Sequence, residues 1–317
     1  MGHLIPALAE ESGTITAMTR HVTIIDRETS SQIFPHDLVR DLTERGAEVQ
    51  AVPTAQVGLH ITEDGITTMF AGLAARTDVV ITRRVFLLDE VVAPALFNLE
   101  RAGVRVCNPT APATIARDKG RTAELLIRSG VATVPTLVLP AAPASDLEQM
   151  ISSMGSGPLV VKPATSGGGA GVVLCADPKT AARHLEHISQ QIDFSNPEMV
   201  IANSLHYVVQ PYVGAGRDAR VFILDGEPLA MTRRTAGADF RTNGAHAAEV
   251  EAWWDASVAE VAVEAVKAIG LEYAGVDVIP TDNGPLVLEV NGWPGFASTA
   301  AVTGVDITGA LASYLLR

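Results

Sequence analysis

The pattern of apolar and polar positions changes character near residue 140. From His21 onward, short apolar runs alternate with stretches of helical spacing. His21–Ile25 predicts a strand, and Pro35–Arg45 a helix that stops at Gly46. Glu48–Val52, Asp78–Thr82 and Val104–Cys107 predict further strands, with helical stretches expected between them. Strands alternating with helices imply a parallel α/β unit over residues 18–108. A helix expected over Thr114–Ser129, ended by Gly130, leads to a strand at Thr136–Leu139. Beyond it, Leu159–Val161 and Gly171–Leu174 are β runs joined by a glycine loop, and Pro178–Gln190 predicts a helix. His206–Tyr212, Ala219–Leu224 and Pro228–Thr232 are short runs joined by turn residues. In Ser257–Ile269 the apolar residues Val258, Val261, Ala262, Ala265, Val266 and Ile269 repeat at the spacing of one helix face. Antiparallel-looking strands with intervening helices indicate an α+β region. Pro140–Ser145 and Ser152–Pro158 read as joints, and the chain shows no internal repeat.

The segment Tyr273–Gly295 places two apolar runs on either side of Asp282-Asn283-Gly284. A three-residue hairpin loop centred on Asn283, with Gly284 in its left-handed position, sets Asp277 opposite Glu289. Asn291, two residues further, shares the face of Glu289. Like charges facing across strands are destabilising. A hard cation between them removes that cost, and Asp, Glu and Asn offer the oxygen ligands that Mg²⁺ prefers. The alternative is an edge hairpin with its polar face in water, and the hairpin alone does not decide between the two.

Composition narrows the picture. The 317 residues are 47% hydrophobic and 19% charged, which describes a globular chain of two or three units. A formal net charge of −13 argues against a general nucleic-acid or anionic-membrane surface, so an anionic ligand needs a locally basic pocket. Cys107 and Cys175 lie in apolar, strand-like surroundings and read as reduced packing residues of a cytoplasmic protein. No apolar run approaches a membrane span. The first 20 residues have no basic stretch and carry Glu10 and Glu11, unlike a signal peptide, and Pro6 breaks the myristoylation pattern. Residues 1–17 read as a loose extension.

Three stretches carry candidate chemistry. In Lys162-Pro163-Ala164-Thr165-Ser166-Gly167-Gly168-Gly169-Ala170-Gly171, four glycines in five positions expose backbone N–H groups to an anion. No Gly-Lys-Ser/Thr ends the loop, so it is not a P-loop; it is either a flap over phosphates or an ordinary mobile hairpin. Gly216–Asn243 concentrates Arg217, Arg220, Arg233, Arg234 and Arg241, whose guanidinium groups suit phosphate or carboxylate. Taken singly, these arginines read as salt bridges with Asp218, Asp225, Glu227 and Asp239. Val208-Val209-Gln210-Pro211-Tyr212-Val213 is a strand running into a kink, able to offer backbone groups to an adenine edge. His206 reads as structural, and no Ser-His-Asp, Cys-His or His/Cys metal pattern is present.

In this order the stretches resemble the ATP-grasp superfamily, most closely its RimK-like α-L-glutamate ligases, from about Asn108 to the C-terminus. Asn108-Pro109 and Ala116-Arg117-Asp118-Lys119 match its opening motifs, and Val161-Lys162-Pro163 with the glycine loop matches its lysine and flap. Val209-Gln210-Pro211-Tyr212-Val213 resembles the adenine hinge, and Asp218-Ala219-Arg220-Val221 the Asp-x-Arg strand. Arg233-Arg234 and Phe240-Arg241-Thr242-Asn243 resemble its basic pieces. Ala274-Gly275-Val276-Asp277 and Leu288-Glu289-Val290-Asn291 resemble its metal hairpin.

The resemblance implies an ATP-grasp fold: a pre-grasp α/β domain at 18–108, a central subdomain with the flap at 109–205, and an antiparallel α+β subdomain at 206–317. It implies ATP contacts at Lys119, Lys162, Ser166, Gly167, Gly168, Gly169, Gln210, Pro211, Tyr212, Val213 and Asp218. Catalytic roles fall to Arg220, Arg241 and Asn243, and Mg²⁺, or Mn²⁺ in its place, to Asp277, Glu289 and Asn291. The implied activity is ATP-dependent amide formation through an acylphosphate, joining glutamate or a similar amino acid to a carboxylate-bearing peptide or small molecule in a homo-oligomer. A non-catalytic ATP-binding regulator and a simple phosphotransferase are the alternatives on the same fold. The chain departs from the pattern at Gly244–Glu249, where a basic residue and paired glycines are expected, and at Gly292-Trp293. Both departures bear on the acceptor substrate.

Overall fold

The computed structural model describes residues 19–27, 35–71, 76–83, 89–140, 146–191, 206–242 and 247–317, with backbone alone at 89 and 90. The expected extension at 1–17 lies outside these residues. Strands β1 (His21–Asp26), β2 (Glu48–Pro53), β5 (Val79–Arg83) and β6 (Arg105–Cys107) form a parallel sheet in the order β2-β1-β5-β6. Helices α1 (His36–Glu44) and α2 (Asp89–Arg101) belong to this unit. Strand β5 is buried along its whole length, as expected for a parallel sheet covered on both faces.

Between β2 and β5 the chain forms a hairpin, β3 (Val57–Thr62) and β4 (Gly65–Phe70), where a helix was expected. The reason is local: Glu63 and Asp64 make a two-residue turn before Gly65, and β-branched residues flank it on both sides. Val57 and Phe70 pack into the sheet core with Val92, Leu96 and Leu99 of α2.

The helix expected over Thr114–Ser129 is two helices, α3 (Thr110–Ala116) and α4 (Lys119–Arg128). Asp118 breaks the run by capping α4, its carboxylate accepting from the N–H groups of Gly120 and Arg121 at 2.8 and 3.0 Å. Strands β7 (Leu137–Pro140), β8 (Leu159–Pro163), β9 (Val173–Cys175) and β10 (His206–Pro211) form an antiparallel sheet in the order β7-β10-β8-β9. Helices α5 (Leu147–Ser152) and α6 (Pro178–Gln191) share its core.

A third sheet takes the order β13-β12-β11-β14-β15. Its strands are β11 (Arg217–Leu224), β12 (Glu227–Ala236), β13 (Ala247–Ala252), β14 (Tyr273–Ile279) and β15 (Leu286–Asn291); the motifs had not indicated β13. Helix α7 (Ala256–Ile269) packs Val258, Ala262, Ala265 and Val266 against one face of this sheet. Helices α8 (Ala297–Thr303) and α9 (Ile307–Leu315) follow. Helix α9 returns to the first unit, where Ile307, Leu311 and Leu315 join Ile24, Leu38 and Ile81 in one core. Among the described residues no helix is long and apolar enough to cross a membrane.

Asn108, 1% exposed, fastens the first unit to the third sheet. Its Nδ2 donates to the carbonyls of Tyr273 and Gly292 at 2.7 Å each, and its Oδ1 accepts from the N–H groups of Glu272 and Tyr273 at 2.8 Å each. All of its amide capacity is thereby used on the two ends of the β14–β15 hairpin.

Candidate active site

A cleft opens between the β7–β10 sheet and the β11–β15 sheet, enclosing about 830 Å³ with its open mouth included. Lys119, Lys162, Ser166, Gly167, Gly168, Gly169, Gln210, Pro211, Tyr212, Val213 and Asp218 all line it. Arg241, Asp277 and Glu289 line it too. The structure thus gathers into one place residues more than 160 positions apart in sequence. Arg220 and Asn291 lie beside the cleft without being among its lining residues, and Asn243 lies outside the described residues.

The lid side is built from β8, β10 and the loop between β8 and β9. Lys162 extends from β8, 5% exposed. Burial drives its pKa down to about 8; Glu289 and Asp277 favour the charged form, whereas Lys119 opposes it. Lys119 opens α4, and its ammonium donates to the Ser166 carbonyl and lies 4.0 Å from Glu289 Oε1. His206 holds the α4 cap, its Nε2 2.7 Å from Asp118 Oδ2, a structural role as expected. In the flap, Gly171 has φ +70° and so close an approach that an added Cβ would lie 2.8 Å from Pro163 Cγ. Gln210 is turned away from solvent, its amide donating to Thr136 Oγ1 at 2.8 Å. Val160, Val172, Ile279 and Leu288, none of which was given a ligand-binding role in the sequence reading, give the cleft apolar walls. Tyr212 and Phe240, which both line the cleft, meet edge to face, 6.0 Å between ring centres.

The sheet side carries the charge. Strand alternation turns Asp218 and Arg220 of β11, and Asp277 and Ile279 of β14, away from the core formed by Ala219, Val221, Val276 and Val278. Asp277 is the register partner of Glu289, as the spacing predicted, but by a different route. The strands end at Ile279 and Leu286, so the connection is longer than three residues, with a turn in which Gly284 N–H donates to the Thr281 carbonyl. A bulge between Asp277 and Val278 restores the predicted register and turns both Leu288 and Glu289 into the cleft.

The charge of Asp277 opposite Glu289 is met within the protein, where only a cation between the two acids was expected to offset it. Arg220, its register partner on the other side, forks onto the Asp277 carboxylate through Nε and, at 2.8 Å, Nη2. Arg234 Nη2 lies 2.8 Å from Asp277 Oδ1 and binds Asp218 bidentately at 2.8 and 2.6 Å. Although burial alone would raise it, these two guanidinium groups hold the Asp277 carboxyl below the usual carboxylate range. Gly275 makes room for this packing, since a Cβ there would lie 2.6 Å from Pro294 Cβ and 3.2 Å from Arg220. Several arginines do find the salt bridges that sequence alone suggested. Arg234 pairs with Asp218, and Arg241 forks onto Asp239 while donating to the Gly169 carbonyl of the flap at 3.3 Å.

A divalent cation fits this donor set. Glu289 is ionisable and partly open, and Asn291 donates Nδ2 to the Gly275 carbonyl at 3.4 Å, which leaves its Oδ1 as an acceptor. Asp277 Oδ2 accepts one hydrogen bond among the described residues, so a lone pair remains there. Among the described residues, no group of three or more His, Cys, Asp or Glu could hold a metal alone. A cation held by Asp277, Glu289 and Asn291 would complete its shell with oxygens from a ligand or water.

A glycine flap and paired lysines on one antiparallel sheet, facing acids and arginines on another, define a nucleotide-binding enzyme of the ATP-grasp class. Solved structures share the fold. The ATP-grasp ligase PsnB, complexed with a phosphomimetic variant of its minimal precursor, Mg and ADP, superposes with a TM-score of 0.68 at 20% identity over 93% of this chain and 97% of that one. D-Alanine–D-alanine ligase from Bacillus anthracis does so with a TM-score of 0.69 at 19% identity over 94% and 96%.

Residues 116–315 match the RimK-like ATP-grasp domain. A probable α-L-glutamate ligase of Xanthomonas oryzae pv. oryzae is 33% identical over 278 residues, 86% of this chain and 89% of that protein. One of Methanococcoides burtonii is 32% identical over 285 residues, 88% and 89%. The chain belongs to the RimK-like ATP-grasp family and is an ATP-binding ligase that forms carbon–nitrogen bonds.

Proposed function

We propose that the protein joins an amino acid, glutamate or one like it, to a carboxylate-bearing peptide or small molecule through an acylphosphate. The observation that carries this reading is the single cleft in which Lys119, Lys162 and the glycine flap face Asp277 and Glu289. Similarity to proteins named probable α-L-glutamate ligases supports glutamate as the amino acid. The lysines and the flap N–H groups hold the triphosphate as point charges and dipoles. Glu289, Asn291 and Asp277 hold Mg²⁺, or Mn²⁺ in its place, which when bound neutralises charge on the phosphoryl group being transferred.

The acceptor carboxylate oxygen attacks the γ-phosphorus, the bond to ADP breaks, and an acylphosphate forms. The amine nitrogen then attacks the acyl carbon and expels inorganic phosphate, losing a proton as the amide forms. Arg220, the guanidinium next to Asp277, stabilises the oxyanion of this second step, and Arg241, beside the flap, holds anionic groups, a role that the sequence motif also gives to Asn243. No enzyme nucleophile is required. Cys107 fits this reading, since it is fully buried and burial pushes its thiol pKa up.

Incubation with ATP, Mg²⁺, hydroxylamine and pooled candidate acids tests the reading. Hydroxylamine intercepts an acylphosphate as a hydroxamate, which is the expected product. ADP release without hydroxamate instead indicates a phosphotransferase. Nucleotide binding without turnover across the pool indicates a regulator.

A further inference from the structure

Arg234 has no part in the reaction described above, yet it is a buried cation that joins two buried acids beside the cleft. Its side chain is 8% exposed, and those of its two acidic partners are 4% and 6% exposed. The fork of Nε and Nη2 closes on both oxygens of Asp218, and Nη2 reaches on to Asp277 Oδ1. Asp218 takes a further hydrogen bond from Thr242 Oγ1 at 2.7 Å. With three donors on its two oxygens, Asp218 is committed to the protein, and its negative charge is a poor neighbour for a triphosphate.

Arg220 grips the same Asp277 in another way. Among the described residues its hydrogen bonds go to Asp277 alone, so any anionic group that draws Arg220 takes away half of the charge compensation of that carboxylate. Arg234 is fastened behind by Asp218 and stays.

We propose that Arg234 is the positioning residue of this site, holding Asp277 in place for a nucleotide-bound divalent cation, with Asp218 and Thr242 acting through Arg234 and not on the nucleotide. The inference rests on the reading that the Asp277–Glu289 end of the cleft takes Mg²⁺ with a nucleotide. It reassigns Asp218 from ligand contact to anchor. Arg234 and Asp218 supply one alternating chain of charge, Asp218–Arg234–Asp277–Arg220, across strands β12, β11 and β14. A lysine at 234 keeps the charge but has no fork, so it cannot reproduce the two-nitrogen grip on Asp218 that sets Nη2 against Asp277.

Calorimetric titration of ADP, first in EDTA and then across a series of Mg²⁺ concentrations, tests this on Arg234→Lys, Asp218→Asn and the double variant. ADP affinity in EDTA is expected to stay within about twofold of wild type, while the Mg²⁺ concentration giving half of the metal-dependent enhancement rises about tenfold or more, the usual cost of losing an outer-sphere partner. The double variant is expected to shift no further than the worse single one, because both break the same contact. An unchanged Mg²⁺ midpoint overturns the proposal. So does an equal loss of ADP affinity in EDTA, which would put Arg234 or Asp218 on the nucleotide itself.

If Arg234→Lys does not melt cooperatively, Thr242→Val replaces it, keeping all four charges. The loss of one hydrogen bond predicts a shift of about fivefold in the Mg²⁺ midpoint, and no shift overturns the proposal. Wild-type protein that shows no Mg²⁺-dependent ADP binding overturns the underlying nucleotide reading. Wild-type protein that shows it, beside unaffected variants, overturns the role of Arg234 alone.

Discussion

The two walls of the cleft solve the same electrostatic problem with different materials. The lid wall offers backbone: Gly168, Gly169 and Gly171 sit at positive φ, and the flap bonds within itself through long contacts, 3.3 Å from Ala170 N–H to the Gly167 carbonyl and 3.4 Å from Val172 N–H to the Gly169 carbonyl. The sheet wall offers side chains already engaged with one another, Asp218, Arg234, Asp277 and Arg220 in an alternating series. Backbone dipoles suit a part that must move onto any triphosphate, because they carry no net charge to compensate when the ligand leaves. Ionised side chains suit a part that stays still, because buried charge is tolerated only in fixed, complementary geometry.

The largest effect that can break this contrast is on Glu289. Glu289→Gln keeps an oxygen and the size of the side chain but removes the charge, and turnover is expected to fall about 10²–10³-fold, as when a positioned charge-stabilising group is lost, with circular dichroism unchanged. A fully active variant would remove the sheet wall from the chemistry.

Lys162 is where the two walls meet, a buried cation on the lid side facing acids on the sheet side. Its pKa falls on folding, so between pH 8 and its ordinary value of 10.5 the unfolded chain binds more protons than the folded one. The stability penalty is therefore full below pH 8 and lifts as the pH rises towards 10.5. Lys162→Met is expected to stabilise the free protein at pH 7 by up to roughly 3 kcal/mol, with the gain in Tm shrinking above pH 8 as Lys162 loses its proton. The same residue predicts that nucleotide binding at pH 8.5 takes up a proton. Calorimetry in buffers of different ionisation enthalpy measures it, and the uptake should vanish at pH 6.5 and in the variant.

Smaller effects sharpen the lid side. Gly171→Ala places a side chain at φ +70° and against Pro163. A left-handed residue with a Cβ costs about 1–2 kcal/mol, expected as a KM for ATP raised about fivefold with little change in Tm. A drop in Tm matching that cost would show the flap to be part of the rigid frame. The smallest effect belongs to Arg241, which ties the Gly169 carbonyl to Asp239 at the surface. Arg241→Ala should speed limited proteolysis within the flap by about twofold to threefold, the scale of one exposed contact.

How much of this was legible in sequence follows the same division. The flap was readable because glycine density is a local property, and Lys119, Lys162 and the Gln210–Val213 hinge reached the cleft as their motifs implied. The Asp277–Glu289 pairing was readable from spacing, although two departures cancel: a longer loop and a bulge at Leu288. The engagement of Asp277 with Arg220 and Arg234 was not readable, since it depends on the register of β11, β12 and β14, which no spacing within one hairpin reports. Nor were the apolar walls, because Val160, Ile279 and Leu288 are ordinary strand residues, and Val172 an ordinary loop residue before β9, until the sheets are set against each other. The β3–β4 hairpin was missed because its two-residue turn lay in a stretch assigned by alternation with its neighbours. Asp118 was passed over as a cap inside an otherwise continuous helical pattern.

Asn108 has a mechanical consequence. By using both ends of its amide on Glu272, Tyr273 and Gly292, it welds the parallel sheet to the hairpin that carries Asp277, Glu289 and Asn291. Helix α9 adds a second weld on the same side. Of the three sheets, two are thus tied together by buried hydrogen bonds and a shared core, so a change in the width of the cleft is expected to fall on the lid sheet, which carries Lys162 and the glycine loop.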